Sequence, residues 1–238
     1  ETASLILLDS NFKTLVDAVE EGRIIYENIK KVVAYVLSNS FTEMFIIIGT
    51  ILLGWPAPLT VAQILWIHLI CDGPSDIVLG FERGEEGIMD EMPKSAKESL
   101  LDANSKVLIL IISGVSATLS LFLFQHYWQS HGDIILGRTL VFTFLAIENL
   151  VYIFSYRSLR RSVFTSRGFI ANKALFGTVA FGIAQQILAI HVTFLNELLA
   201  VEPLFLSDWA LAFGCALGIV GIVEAVKYAI RHKGKMAV

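Results

Sequence analysis

Charge is scarce in this sequence: Asp, Glu, Lys and Arg together make up 17% of 238 residues, while apolar types make up 55% and mean hydropathy is +0.67. A water-soluble domain of this length needs more polar surface than that, so a freely soluble globular fold is excluded. Cysteine is almost absent. Cys71 and Cys215 both lie inside apolar runs, at a spacing that makes neither a disulfide framework nor a zinc site. No repeat of about 20 to 50 residues and no low-complexity tract is present. The chain also lacks a charged-then-apolar leader and opens on Glu1 rather than Met, which suggests a piece of something longer. The formal charge of −4 sums over two compartments and points to no partner; nucleic acid is not expected.

What is abundant is the long apolar run. Six of them fall at residues 32–53, 59–81, 107–128, 139–155, 174–194 and 209–230. Each approaches the length of about 20 residues that a helix needs to cross a bilayer. The expected fold is therefore an all-α membrane protein, a bundle of six transmembrane helices. Lys and Arg set its orientation, because segments on the cytoplasmic side carry an excess of them. Of the 18, all but Arg138 fall before the first run, after the second, after the fourth, or at the end of the sixth and in the tail beyond it. Both termini are thus expected on the cytoplasmic side of a multi-pass protein whose immediate partner is the lipid bilayer.

Before the first run, Leu5 to Leu8 reads as a short buried strand ended by Asp9, Ser10 and Asn11. Phe12, Leu15, Val16, Val19, Ile24 and Ile25 then recur at helical spacing among polar residues, with Gly22 the one weak point. This predicts a stalk helix over 11–31 that continues into the membrane. Residues 54–59, Gly-Trp-Pro-Ala-Pro-Leu, make a tight external turn in which two prolines end one helix and start the next. Residues 82–106 read as a cytoplasmic loop and 231–238 as a cytoplasmic tail. Gly214, Gly218 and Gly221 suggest a small-residue packing face on the last helix.

Ionisable groups at mid-membrane depth cost several kcal/mol and mark ion paths or relays more often than packing. Glu43, Asp72 and Glu148 each sit near the middle of a run. Ser40 precedes Glu43 by three residues, about one helical turn, with Ser38, Asn39 and Thr42 adding polarity nearby. His68, Asp72 and Asp76 follow each other at intervals of four, and Gly73-Pro74 breaks the helix between the two aspartates. A proline there frees carbonyl oxygens that hydrocarbon does not tolerate unless they line a cavity. Carboxylates beside freed carbonyls suit a hard cation. The bland alternatives are that Glu43 and Asp72 are neutral or paired helix contacts, that Glu148 is satisfied by Asn149, that His68 and Cys71 merely pack, and that Asp76 and Glu224 reach towards water.

Several stretches resemble one family. The stretch Gln-Ile-Leu-Trp-Ile-His-Leu-Ile-Cys-Asp-Gly-Pro (63–74), with Leu-Gly-Phe (79–81), resembles the sixth transmembrane helix of P-type ATPases of the calcium and sodium/potassium pump class. Residues 88–95 resemble the loop that follows it. Residues 7–12 and 20–31 resemble the end of the phosphorylation domain and the stalk of helix five. The resemblance implies that 1–10 is a remnant of that domain, that 32–81 is the cation-site hairpin of helices five and six, and that 107–230 holds helices seven to ten. It implies metal-ligating roles for Glu43, Ser40 and Asp72, and for Glu148 as the acidic ligand of helix eight. His68 stands where calcium pumps have Asn and Cys71 where they have Thr, softer groups that are compatible with a single ion, with another ion, or with a titrating His68.

The resemblance further implies a transported cation, calcium, in a cation-translocating segment. Mg and ATP belong only to the full-length pump, since the chain has no Asp-Lys-Thr-Gly-Thr, no Thr-Gly-Glu-Ser and no nucleotide-binding domain. The expected partners are therefore the missing N-terminal pump domains and first four transmembrane helices. A freestanding six-span cation channel or secondary transporter is the alternative reading.

Overall fold

The computed structural model describes residues 12–85, 87–90, 92, 99–159 and 172–235. The strand expected at Leu5 to Leu8 and most of the loop between 91 and 98 lie outside the described residues. Every regular element among the described residues is helical: α1 (Phe12–Leu53), α2 (Val61–Trp66), a π-helical turn (Ile67–Cys71), α3 (Gly73–Leu79), a 3-10 turn (Ile88–Asp90), α4 (Ala103–His131), α5 (Ile134–Tyr156), α6 (Lys173–His191), α7 (Thr193–Leu199) and α8 (Leu206–Lys235).

Among the described residues five helices, α1, α4, α5, α6 and α8, are long and apolar enough to cross a membrane. The predicted crossing at 59–81 is instead a broken run. Its upper and lower halves, α2 and α3, meet at the π-turn, where Asp72 N–H reaches back to the Ile67 carbonyl at 3.0 Å, and Pro74 occupies the first turn of α3. The predicted crossing at 174–194 also stops short. Val192 adopts an extended backbone (φ −91°, ψ 117°), so Phe194 belongs to the separate helix α7.

α1 runs unbroken for 42 residues, straight through Gly22, from the stalk to the end of the first crossing. It ends at Gly54, whose φ of +67° is a left-handed conformation that a side chain would strain. Pro56 and Pro58 lie in the connection, but the start signal for α2 is Thr60, whose hydroxyl accepts from Gln63 N–H while the Gln63 side chain accepts from Thr60 N–H. Gln63 then donates to the Leu199 carbonyl (3.0 Å), and Arg138 donates to the Ala57 carbonyl (2.8 Å), which anchors this turn to the neighbouring helices.

α5 is the centre of the bundle. Leu140, Val141, Phe142, Phe144, Ala146 and Ile147 are fully buried, and α1, α4, α6 and α8 pack around it. Burial on all sides explains its unbroken apolar sequence. Tyr35 of α1 packs on Tyr152 and Tyr156 of α5, with ring centroids 5.3 and 5.6 Å away, and donates its hydroxyl to the Asn149 carbonyl (3.1 Å). Ser38 meets the Tyr156 hydroxyl at 2.5 Å, and its carbonyl accepts from Ser113 of α4 (2.9 Å). α8 packs through Ala212, Ala216, Ile219 and Val223, all buried. The expected packing face of Gly214, Gly218 and Gly221 points away: a Cβ there would meet nothing within 4 Å. The alanines already permit close approach, so the glycines are not needed for it.

The stalk end is knit by polar groups. Glu82, just beyond α3, accepts two bonds from Arg157 at the end of α5 (2.9 and 2.8 Å) and one from Asn172 at the start of α6 (2.9 Å), while its carbonyl accepts from Asn28 of α1 (2.6 Å). Lys31 faces Glu85 at 3.8 Å, Lys30 faces Asp102 at 3.3 Å, and Arg23 donates to the Ile88 carbonyl at 2.8 Å. Glu224, expected to reach towards water, pairs with buried Lys227 (3.1 Å), which also donates to the Ser155 and Ser158 carbonyls.

Burial by itself would raise the Glu82 carboxyl, but the hydrogen bonds from Arg157 and Asn172 and the charges of Arg157 and Lys31 outweigh it and hold the group below its ordinary value of 4.5. A depressed folded-state value adds stability that is fully present above 4.5 and is lost as pH falls through the depressed value. Thermal unfolding of the protein in detergent is therefore expected to be insensitive to Glu82 down to about pH 5. Below that it should become easier, with a shallower acid loss in Glu82→Gln than in the parent.

Candidate cation site

The break in the α2–α3 run places Asp72 between the two halves of one crossing, fully buried and flanked by α1 and α5. Pro74 has no N–H, so the Ile70 carbonyl has lost the donor that a continuous α-helix would have given it. Asp72 Oδ2 accepts from Asn39 of α1 at 3.2 Å and from Asn149 of α5 at 3.0 Å. The other oxygen, Asp72 Oδ1, is buried and meets no donor; neither does Asn39 Oδ1. Two buried acceptors without donors are costly unless a proton, a water or a cation completes them.

His68 bridges this carboxylate to a second one. Its Nε2 lies 3.0 Å from Glu43 Oε1 and its Nδ1 lies 3.6 Å from Asp72 Oδ2. A neutral imidazole donates to one of the two and a protonated one to both. The ring keeps Glu43 and Asp72 apart. Among the described residues no three His, Cys, Asp or Glu side chains converge as a ready metal cluster. The oxygen-rich set around Asp72 is instead completed by amides, a donor chemistry that suits a hard cation.

Of the residues singled out from sequence, Glu43, His68 and Asp72 come together. Asp76 follows one turn later on α3, half-buried, with Oδ1 enclosed and unpartnered. Ser40 does not join them: it lies on the exposed face of α1, whereas Asn39 beside it faces Asp72. Glu148 is also absent from the cluster. It turns towards α4 and accepts from Ser116, leaving Oε2 buried and unpartnered. Asn149, the alternative partner for Glu148, donates to Asp72 instead. Cys71 faces away, with Sγ 3.6 Å from Gln186 Oε1, and Gln186 continues to Thr143 at 3.4 Å.

Two contributors were underweighted in the sequence. Asn39 precedes Glu43 by four residues, a same-face interval as valid as that of Ser40, and Asn149 is an amide at mid-span. Gln186, fully buried on α6, carries the same mid-span polar signal and was missed.

Comparison with known proteins bears on this arrangement. The family described as "Cation transporting ATPase, C-terminus" matches residues 56–229. The chain is 32% identical over 247 residues to Calcium-transporting ATPase 1 of Bacillus cereus, covering 97% of this chain and 28% of that protein. It is 31% identical over 239 residues to the human Calcium-transporting ATPase type 2C member 1, covering 99% of this chain and 26% of that one. The Cation-transporting ATPase pma1 of Synechocystis is 28% identical over 97% of the chain and 26% of its own length. The chain therefore spans about a quarter of the length of these relatives.

Proposed function

Because the chain belongs to the cation-transporting ATPases, as part of their C-terminal membrane region, we propose that it forms the cation-binding and translocation segment of an ATP-driven pump whose transported ion is calcium. The observation that carries this reading is Asp72: a carboxylate with no exposure at a helix break, one oxygen held by two amides and the other without a donor. Asp72 Oδ1 is the primary ligand. Glu43 is the second, and the unpartnered Asn39 amide oxygen adds to the oxygen set. An arriving cation takes the carboxylates from His68. Asp76, one turn along, attracts the ion from the stalk side.

The relatives named as calcium-transporting support the choice of ion. Both ends of the chain lie on the cytoplasmic side, in keeping with the Lys and Arg distribution. ATP and Mg act on the phosphorylation and nucleotide-binding domains of the whole protein, which this chain meets through α1. From Phe12 to Glu43 that helix is roughly 46 Å of continuous backbone. A displacement at its stalk end reaches the ligand without an intervening hinge.

Phosphorylation of the full-length pump by ATP, titrated with calcium, tests the reading. Glu43→Gln is expected to raise the half-maximal calcium concentration at least about tenfold, which is ~1.4 kcal/mol of lost binding. Glu148→Gln is expected to leave it within about twofold, because Glu148 faces Ser116 and not the site. A Glu43→Gln pump with an unchanged response, or a Glu148→Gln pump with the larger shift, would mean that the ion sits elsewhere.

A further inference from the structure

The two halves of the broken crossing are held differently. α2 is anchored at its start by the Thr60 cap and the Gln63 bond to Leu199. α3 cannot inherit its direction from α2, because the π-turn and Pro74 interrupt the hydrogen-bond ladder between them. Something else must set where α3 points, since its first end carries Asp72.

The opposite end of α3 runs directly into Glu82. Its carboxylate is almost fully enclosed, with 8% of the side chain exposed, and takes both Arg157 bonds and the Asn172 bond; its carbonyl takes the Asn28 bond. Those partners are not arbitrary. Asn28 belongs to α1, the helix that presents Asn39 and Glu43, and Arg157 ends α5, the helix that presents Asn149. The clamp therefore references α3 to the same two helices that hold Asp72 at the other end. Among the described residues, the side-chain hydrogen bond made from within α3 itself runs from the Ser75 hydroxyl to Thr178 at 3.1 Å and reaches α6 rather than α1 or α5.

We propose that Glu82 is a positioning residue for the cation site: bound to Arg157, Asn172 and Asn28, it fixes the tilt of α3 so that Asp72 stays in register with Asn39 and Asn149. The proposal rests on Asp72 being a ligand. Glu82 follows Asp72 by ten residues, through α3 and then a run of i→i+3 turns over Gly80, Phe81 and Glu82, a lever of roughly 15 Å. A tilt of about 10° about the clamp displaces Asp72 by roughly 2.6 Å, enough to break its bonds to both amides. A bidentate guanidinium–carboxylate pair suits such a role because its two parallel bonds fix orientation as well as distance.

The test uses the full-length pump and reads two quantities: the maximal phosphoenzyme per amount of membrane-inserted protein, and the calcium concentration at half-maximal phosphorylation. Glu82→Gln and Arg157→Gln are each expected to raise that concentration about tenfold. The double variant is expected to go no further, because both changes remove one interaction. A purely structural role would lower the maximal level and leave the half-maximal concentration in place, which overturns the proposal. Should either variant fail to insert, Asn172→Ala keeps the question open to refutation, since it leaves the Arg157 pair intact. It is expected to raise the concentration about threefold with a normal maximum, and no shift overturns the proposal. Asp72→Asn is run beside them. If it responds to calcium as the parent does, the assignment of Asp72 itself fails; if it is silent while the Glu82, Arg157 and Asn172 variants match the parent, only the positioning role fails.

Discussion

An Asp72→Asn pump is expected to fold and insert at parental levels and to need at least about a hundredfold more calcium for phosphorylation, a loss of ~2.7 kcal/mol in binding. The separation of folding from function follows from how the two oxygens of Asp72 are used. Oδ2 carries the structural duty, accepting from Asn39 and Asn149, and an amide oxygen at the same place accepts both bonds equally well. Oδ1 has no donor, and in the variant an NH2 group stands there. The substitution thus removes the negative charge and turns a cation's acceptor into a donor while leaving the helix contacts intact. The penalty is large because the carboxylate is fully buried, where attraction to a divalent ion is screened far less than in water. Asp72→Leu is expected to behave differently. It strands the Asn39 and Asn149 amides in the interior, each costing about 1 to 3 kcal/mol, and should therefore lower the amount of folded protein as well. Measuring inserted protein and calcium-dependent phosphoenzyme for both variants separates the two effects. Parental calcium response in Asp72→Asn would remove Asp72 from the ligand set.

The helical character and the membrane setting were legible from the apolar runs alone, and the stalk continuing into α1 from its 3.6-residue spacing. Glu43, His68 and Asp72 were legible too, because ionisable groups at mid-span carry their own signal. What sequence could not resolve was facing. Ser40 and Asn39 lie three and four residues before Glu43, and both intervals keep to one helix face. The position of the α2–α3 run chose Asn39, and nothing local to α1 encodes that. On α5 the difficulty is greater. Its residues are buried all round, so no polar stripe tells one side from another, and the neighbours Glu148 and Asn149 point about 100° apart. The amide, not the acid, met Asp72. The two chain breaks illustrate the same limit. Gly73-Pro74 announced an interruption, but the π-turn just before it lies in Ile-His-Leu-Ile-Cys, which has no breaker of its own. The turn at Val192 sits within an apolar run that reads as one crossing.

Gly182 of α6 yields the second large effect. An added Cβ would come within 2.8 Å of the Cys71 carbonyl oxygen and 2.6 Å of Leu150 Cδ2. A leucine methyl can swing aside, but the Cys71 carbonyl is backbone of the π-turn and can only move with it. Gly182→Ala is therefore expected to destabilise the protein by about 1 to 3 kcal/mol, the usual cost of overpacking, despite the better helix propensity of alanine. Gly177, one and a half turns earlier on α6, has nothing within 4 Å of a built Cβ. Gly177→Ala there is expected to be neutral or stabilising by up to about 1 kcal/mol, the propensity gain alone. Thermal unfolding of the two variants in detergent should thus shift in opposite directions. Because the carbonyl that must yield at Gly182 directly precedes Asp72, the Gly182→Ala pump should also bind calcium more weakly while Gly177→Ala binds it normally. Equal stability and equal calcium response in the two would mean that α6 does not brace the π-turn and that the geometry at Asp72 is held by α1 and α5 alone.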